Sequence, residues 1–288
     1  TAITGWRSLR PAGQSRVKAT VIGAIRQPAA VPDSIPSMTT DTAPADPYIN
    51  DIVIAGGGQV GLALAVALRL SAPTLSVMLV DATSPVARSR EGRASTIVAG
   101  GRRMLEQIGV WDAIAPDAEA VTAMIVTDSR TQDVVRPVFL TFAHDAEPVA
   151  HVVPDGVVVA ALHRRAQVTG VRIVAPESVD GFVVGASRIS VRMKNSGSIE
   201  ARLLVAADGA RSRLRELAGI ATVGHAYGQS GIVVTVTHER PHGGRAEEHF
   251  LPGGPFAILP LKDSADGVHR STLVWTEPTE LAERLVAA

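Results

Sequence analysis

Asp-Ile-Val-Ile-Ala-Gly-Gly-Gly-Gln-Val-Gly, residues 51–61, is a β-branched run that ends in G-x-G-x-x-G at Gly56, Gly58 and Gly61. An apolar, helix-like segment follows from Leu62 to Leu70, then a second apolar run, Leu75 to Val80, closed by Asp81. The order strand, tight turn, helix, strand, acid predicts a parallel βαβ unit within an α/β fold. Gly56 permits the turn, Gly58 lets an anionic group approach the backbone, and Gly61 lets the helix pack close to the strand. The helix start, at Gln59 and Val60, offers N–H groups and a partial positive charge. Asp81, about 20 residues past the last glycine, can accept hydrogen bonds from a ribose diol. These features predict a Rossmann-like site for the pyrophosphate and ribose of a dinucleotide.

Around this unit the chain is long enough for two modest domains. Its 288 residues are 46% apolar and carry no net formal charge, so a sizeable core is expected. Aromatic residues amount to only 3%, and the lack of a basic excess argues against a nucleic-acid partner. Cysteine is absent, which excludes disulfides, thiolate metal sites and cysteine nucleophiles. No apolar run reaches the length that crosses a bilayer, so membrane contact is expected to be peripheral.

Residues 1–47 read as an extension outside the fold. Arg7, Arg10, Arg16, Lys18 and Arg26 occur without an acid before Val31, as in a transit peptide. A clear amphipathic helix is missing, however, and a disordered extension upstream of Met38 is the preferred reading. Residues 48–222 are expected to form the nucleotide domain. A helix is predicted from Arg93 to Ile108, ended by Gly109, and another from Val157 to Val168, with Gly170 beyond it. Strands Ala123–Thr127 and Val134–Phe142 predict a hairpin inserted in this domain. Short strands are expected at Val171–Ala175, Ser178–Val184 and Ile189–Met193, and a strand buried on both faces at Leu203–Ala207. Residues 223–288 contain strand-like runs Gly231–Thr237, Ala246–Leu251, Phe256–Leu261 and Arg270–Thr276, which predict an antiparallel sheet covering the substrate. A helix begins after Pro278.

The second informative stretch is L-L-V-A-A-D-G-A-R-S-R-L-R-E-L, residues 203–217. An apolar strand delivers Asp208-Gly209 to a turn, and Ser212 can cap the helix that follows. The bland alternative has Asp208 bonding amides of its own turn. The pattern D-G-x-x-S-x-x-R, at Asp208, Gly209, Ser212 and Arg215, resembles a fingerprint of the FAD-dependent aromatic hydroxylases. Glu91–Gln107 is similar to the segment of that group carrying a flavin-contacting arginine, here Arg93. The stretches from His238 to Leu261 and from Arg270 to Glu277 resemble the ubiquinone-biosynthesis hydroxylases in particular. The likeness runs from about Tyr48 to the end of the chain.

The resemblance implies a monooxygenase that takes FAD as cofactor and NAD(P)H as reductant. A flavin C4a-hydroperoxide formed with O2 would hydroxylate a polyprenylated phenol. It implies cofactor contacts at Gly56, Gly58, Gln59, Val60, Gly61, Asp81, Arg93, Asp155, Asp208 and Gly209. Asp155-Gly156 replaces an Asn-Arg pair of the group, so only the Asp155 contact is carried over. The implied location is cytoplasmic, with peripheral contact at the inner face of the membrane or with a biosynthetic complex. No residue presents itself as the catalytic base.

A third fingerprint of the group, a glycine-aspartate-alanine-alanine-histidine stretch, is not found here. The expectation is a fragment of a longer protein or a product that holds flavin poorly. A non-catalytic fragment that binds nucleotide or partner proteins therefore remains an alternative. A nicotinamide dehydrogenase would use the same glycine turn but leaves the Asp208 stretch unexplained. His238-Glu239-Arg240-Pro241-His242 satisfies the H-E-x-x-H pattern of zinc hydrolases. That chemistry needs a continuous helix, which Pro241 would disrupt at a cost of about 3 kcal/mol, so a strand-end loop is expected and no metal. The pairs Glu247-Glu248 and Glu280/Glu283 read as solvated faces.

Overall fold

The computed structural model describes residues 50–84, 87, 93–128, 133, 137–143 and 147–287. The extension assigned to residues 1–47, and the start of the strand expected at Val134, lie outside them. Strand β1 (Asn50–Ala55) leads through the glycine turn into helix α1 (Gln59–Ser71) and then β2 (Val77–Val80). β1 and β2 pair in parallel, with Ile52 opposite Val77 and Ala55 opposite Val80. Their side chains alternate strictly. Ile52, Ile54, Val77 and Leu79 enter the core beneath the helices, while Val53, Met78 and Val80 enter a second cluster on the other face. A central parallel strand must be apolar on both sides, which is why these runs show no polar alternation.

The region expected to be helical throughout residues 93–108 divides in two. Ala94–Val98 is strand β3, and helix α2 spans Ala99–Gln107. Thr96, Ile97 and Val98 are β-branched and favour an extended backbone, and the antiparallel partners of the strand lie in a later one. Helical spacing beyond Val98 hid the boundary. The predicted stop is present: Gly109, at φ +67°, donates to the Glu106 carbonyl, and Val110 donates to Leu105. Next come α3 (Trp111–Ile114), a 3-10 turn, β4 (Glu119–Val121), β5 (Ala123–Asp128), β6 (Val138–Ala143), β7 (Ala150–Pro154) and α4 (Asp155–Val168). Strands β3, β7 and β4 form a small sheet that the sequence reading missed.

The first large sheet is completed by β8 (Arg172–Val174), β9 (Val179–Val184), β10 (Ile189–Met193) and β11 (Gly197–Ala206), in the order β8-β2-β1-β11-β10-β9. β11 begins earlier than expected and is less covered. Its first half pairs with β10 through Ala201, whereas the remainder pairs with β1. Leu203 is consequently 51% exposed, a correction to the doubly buried strand read from its apolar sequence.

After α5 (Arg213–Leu217) come β12 (Gln229–His238), β13 (Arg245–Leu251), β14 (Gly254–Leu261), β15 (His269–Pro278) and α6 (Thr279–Ala287). The second sheet runs β12-β15-β14-β13-β5-β6. It is antiparallel except where β13 meets β5 in parallel. The β5–β6 hairpin, expected as an insertion in the nucleotide domain, therefore extends this sheet instead. Val121, Ala150 and Val152 of the small sheet share a core cluster with Ala246 and Leu261 of the second sheet. Among the described residues no helix is long and apolar enough to cross a membrane.

Two carboxylates lock the first sheet. Asp51 accepts from the Ser76 amide and hydroxyl and from Arg202, joining β1 to β11 and to the residue that precedes β2. Buried Glu177 accepts from Ser196, the Ser178 amide and both nitrogens of Asn195, tying the turn between β10 and β11 to the loop after β8. The Ser196 hydroxyl, followed by the Ser178 amide, holds the Glu177 carboxyl below its ordinary 4.5. Its stabilisation is thus complete above 4.5 and lost as pH falls through the lowered folded value. Glu177→Gln should lower the melting temperature at neutral pH, and the deficit should shrink in acid below 4.5. A deficit equally large in acid and at neutrality would contradict this role.

Candidate functional site

The glycine turn is built by backbone contacts that no side chain could share. Gly56, at φ +116°, donates its N–H to the Val80 carbonyl at 2.7 Å. A Cβ on Gly56 would lie 2.1 Å from the Ala207 carbonyl oxygen and 3.0 Å from the Asp208 nitrogen. A Cβ on Gly61 would lie 2.0 Å from the Gly56 carbonyl oxygen. Both are closer than atoms can approach, so the turn, the first turn of α1 and the end of β11 form one tightly closed unit. Gly58 differs: a Cβ there would meet nothing within 4 Å. It is the N-cap of α1, where no side chain caps the helix and no acid occupies the first turn. The N–H groups at Gln59 and Val60 thus begin a helix with no side-chain cap and no acid in its own first turn, an arrangement that leaves its first N–H groups open to an anion. Val60 beside them is 75% exposed.

Asp81 sits at the end of β2, buried and directed at this turn. A Cβ on Gly57 would come within 2.5 Å of the Asp81 Oδ2. The other carboxylate oxygen accepts the Thr83 N–H at 3.3 Å. The backbone is pinned on both sides, with the Asp81 N–H donating to Val174 and the Glu177 N–H donating to the Asp81 carbonyl. A small cleft opens here, lined among others by Gly57, Leu62, Asp81, Val159, His163 and Ile173. The space is about water-sized and its walls are largely apolar, with the Asp81 carboxylate among them. His163 escaped the sequence reading. Its spacing of four from Val159, on one face of α4, could have revealed it once α4 was known to pack beside α1.

Arg93, Gln59 and Asp155 come together at the start of α1. The Gln59 amide donates to Asp155 Oδ1 at 3.1 Å, and the Ser95 hydroxyl donates to the same oxygen. Arg93 Nε lies 3.7 Å from Asp155 Oδ2, and the Asp155 N–H donates to the Arg93 carbonyl at 2.8 Å. Asp155 is buried whereas the Arg93 side chain is 43% exposed. The carboxylate therefore acts as a fixed post that aims the guanidinium. Both of its oxygens already face protein donors.

Asp208 closes the other half of the site and matches the blander reading made of it. The Ser212 hydroxyl donates to Asp208 Oδ1 and the Leu214 N–H to Oδ2 at 3.3 Å. Ser212 in turn accepts from the Arg215 N–H at 3.0 Å, and the Arg215 guanidinium donates to the Ala210 carbonyl at 3.1 Å. The four matched positions form a self-contained cap on α5. They deliver the Ala207–Asp208 backbone to Gly56, and Gly209, at φ +94°, faces open space. The H-E-x-x-H segment is the end of β12 followed by a turn. His242 accepts the Gly244 N–H within that turn and donates to the Leu261 carbonyl at the end of β14.

The family model described as FAD binding domain matches residues 50–279. Among curated proteins the chain is 36% identical over 258 residues to a ubiquinone hydroxylase, UbiL, of Rhodospirillum rubrum, covering 88% of this chain and 57% of that protein. It is 29% identical to the mitochondrial ubiquinone biosynthesis monooxygenase COQ6 of Danio rerio, covering 85% and 53%. The chain thus spans a little over half the length of these relatives. Among solved structures, p-nitrophenol 4-monooxygenase PnpA of Pseudomonas putida aligns with a TM-score of 0.65 at 18% identity, over 82% of this chain and 61% of that one. A tetrameric 2-methyl-3-hydroxypyridine-5-carboxylic acid oxygenase aligns with a TM-score of 0.63 at 19% identity, over 81% and 60%. At these identities the structural likeness concerns the fold alone.

Gly61→Ala should destabilise the protein by about 1–3 kcal/mol through overpacking against Gly56. Gly58→Ala, with open space at the same turn, should melt with the wild type. Urea denaturation of the two variants checks the contrast, and equal midpoints would refute the packing account.

Proposed function

The chain belongs to the FAD binding domain family, and on that premise we propose that it is part of an FAD-dependent monooxygenase that hydroxylates a polyprenylated phenol in ubiquinone biosynthesis. The observation that carries this reading is the meeting of three features at one place. An uncapped helix N-terminus, a buried carboxylate against Gly57 and the Asp208 turn against Gly56 converge within the reach of one adenine-containing cofactor. The names and extents of the ubiquinone-pathway relatives support the substrate class.

In this proposal the residues divide the cofactor among them. Backbone N–H groups from Gly58 to Gly61 take the pyrophosphate, and the missing side chain at Gly58 is what lets its oxygens approach. Asp81 accepts from the adenosine ribose. Arg93, steadied by Asp155 and so by Gln59, reaches toward the phosphates or the ribityl chain. Gly209 and the backbone at Asp208 form the floor shared with the nicotinamide of NAD(P)H. FAD, once bound and reduced by NAD(P)H, supplies the activation of O2 that places one oxygen atom on an electron-rich ring and releases the other as water. The second sheet shields that ring from solvent. Peripheral contact with a membrane surface belongs to the same proposal. It is supported by edge strand β6, which exposes Val138, Phe139, Leu140 and Phe142.

Purified protein should show flavin absorption near ~370 and ~450 nm that survives gel filtration. A colourless protein that neither retains nor rebinds added FAD would overturn the reading. Asp81→Ala should weaken FAD binding by about 1.5–3 kcal/mol, the worth of hydrogen bonds to a charged acceptor. An unchanged dissociation constant would remove Asp81 from the ribose.

A further inference from the structure

Strand alternation divides the adjacent acids Glu247 and Glu248 between opposite faces of the second sheet. Glu247 shares its face with Arg245, whose guanidinium it meets at 2.5 Å. Glu248 shares the other face with Ala246, which is buried in the cluster of Val121, Ala150 and Val152 beside Ala94, the residue after Arg93. We propose that Glu248 receives the ring hydroxyl of the phenol substrate, accepting its hydrogen bond on the face of the sheet that packs beside Ala94. This rests on the reading of the chain as part of a phenol hydroxylase.

The register places one side chain from each strand in a row through this acid: Val233, Val274, Ala257, Glu248, Val126 and Leu140. All but Glu248 are apolar. Among the described residues Glu248 makes no hydrogen bond and no ion pair. The neighbouring row, with Ala246 and Thr272, is buried, whereas Glu248, Ala257 and Val274 are half-buried. The packed core thus gives way at Glu248, and the row beyond it is open to a ligand. A carboxylate among apolar side chains demands a hydrogen-bond donor. A hydroxyl on an apolar body meets both needs, with the O–H on Glu248 and the ring and prenyl tail along the row.

Other charged groups of this sheet are engaged elsewhere or stand in water. Asp128, opposite Phe250 one row farther out, is exposed. Arg270 donates to the Lys262 carbonyl, and the Lys262 ammonium donates to the Pro116 carbonyl. His249 lies on the face of Glu247 and meets Thr127. A phenol that donates its O–H to a carboxylate gains electron density at the ring positions ortho and para to the hydroxyl, where an electron-poor oxygen attacks. The same hydrogen bond, charge-assisted and directional, fixes which ring edge is presented. Glu248 is thereby a specificity residue for the position hydroxylated.

The test incubates the whole chain with FAD and compares, by calorimetry, an ortho-prenylated phenol with its methyl ether, which lacks the O–H. The wild type should bind the phenol about tenfold or more tightly than the ether, the worth of a hydrogen bond to a charged acceptor. In Glu248→Leu that preference should vanish, because the phenol loses its acceptor and the ether gains an apolar wall. Glu248→Gln keeps a carbonyl acceptor without the charge, so its preference should fall between the two while its melting temperature matches the wild type. Equal wild-type affinities for phenol and ether, or a preference that survives Glu248→Leu, would overturn the inference. Tighter binding of a benzylammonium with the same prenyl group would mark a cation site and overturn it too. FAD retention is measured in the same samples. FAD held without phenol binding refutes the assignment of Glu248 alone, and failure to hold FAD refutes the hydroxylase reading on which it rests.

Discussion

Everything in the first sheet is organised by a contact in which a hydrogen atom stands where other residues carry carbon. Gly56 faces the Ala207 carbonyl at a distance no Cβ could tolerate, and Gly61 faces Gly56 in the same way. Because β11 is held parallel to β1 from Asn50 to Ala55, the register of that pairing decides where Ala207 ends up. The closeness of the turn and the register of the sheet are therefore one constraint. It brings a turn near residue 56 and a turn near residue 208 to neighbouring strand ends, the location where open α/β sheets take their ligands.

This constraint also explains why the elements outside the sheet are arranged as they are. A turn so tightly closed leaves α1 little freedom of angle, and α4 packs along it with Val158, Val159 and Leu162 buried in the shared core. Asp155, at the first position of α4, thereby arrives beside Gln59 at the first position of α1. The small sheet then follows, since β7 leads directly into Asp155 and pairs with β3, which begins one residue after Arg93. Gln59 and Asp155, 96 residues apart in the chain, meet because two helices are packed side by side.

The βαβ unit was legible because each of its parts has a local cause: β-branched strands, glycines at fixed offsets, and an acid at the end of the second strand. The four strands after Gln229 were legible for a similar reason, with Pro and Gly turns between apolar runs. What escaped was whatever depended on a remote partner. Ala94–Val98 is a strand only because β7 pairs with it, and β7 is more than fifty residues away. The β5–β6 hairpin reads the same in either sheet; β13 decides the matter by accepting β5 in parallel. Leu203 looked buried because apolarity in sequence reports what a strand could bury, and β10 stops pairing at Ala201.

The site shows the same limit at the level of single side chains. Sequence singled out three carboxylates on different grounds: Asp81 for the ribose, Asp208 for its turn and Asp155 through the resemblance alone. Geometry separates them by the donors each one faces. Asp208 is turned back on Ser212 and Leu214, and its contribution is the position of its backbone. Asp155 gathers Gln59, Ser95 and Arg93, and its contribution is the aim of a guanidinium. Asp81 alone lies across the glycine turn and opens onto a cleft with apolar walls.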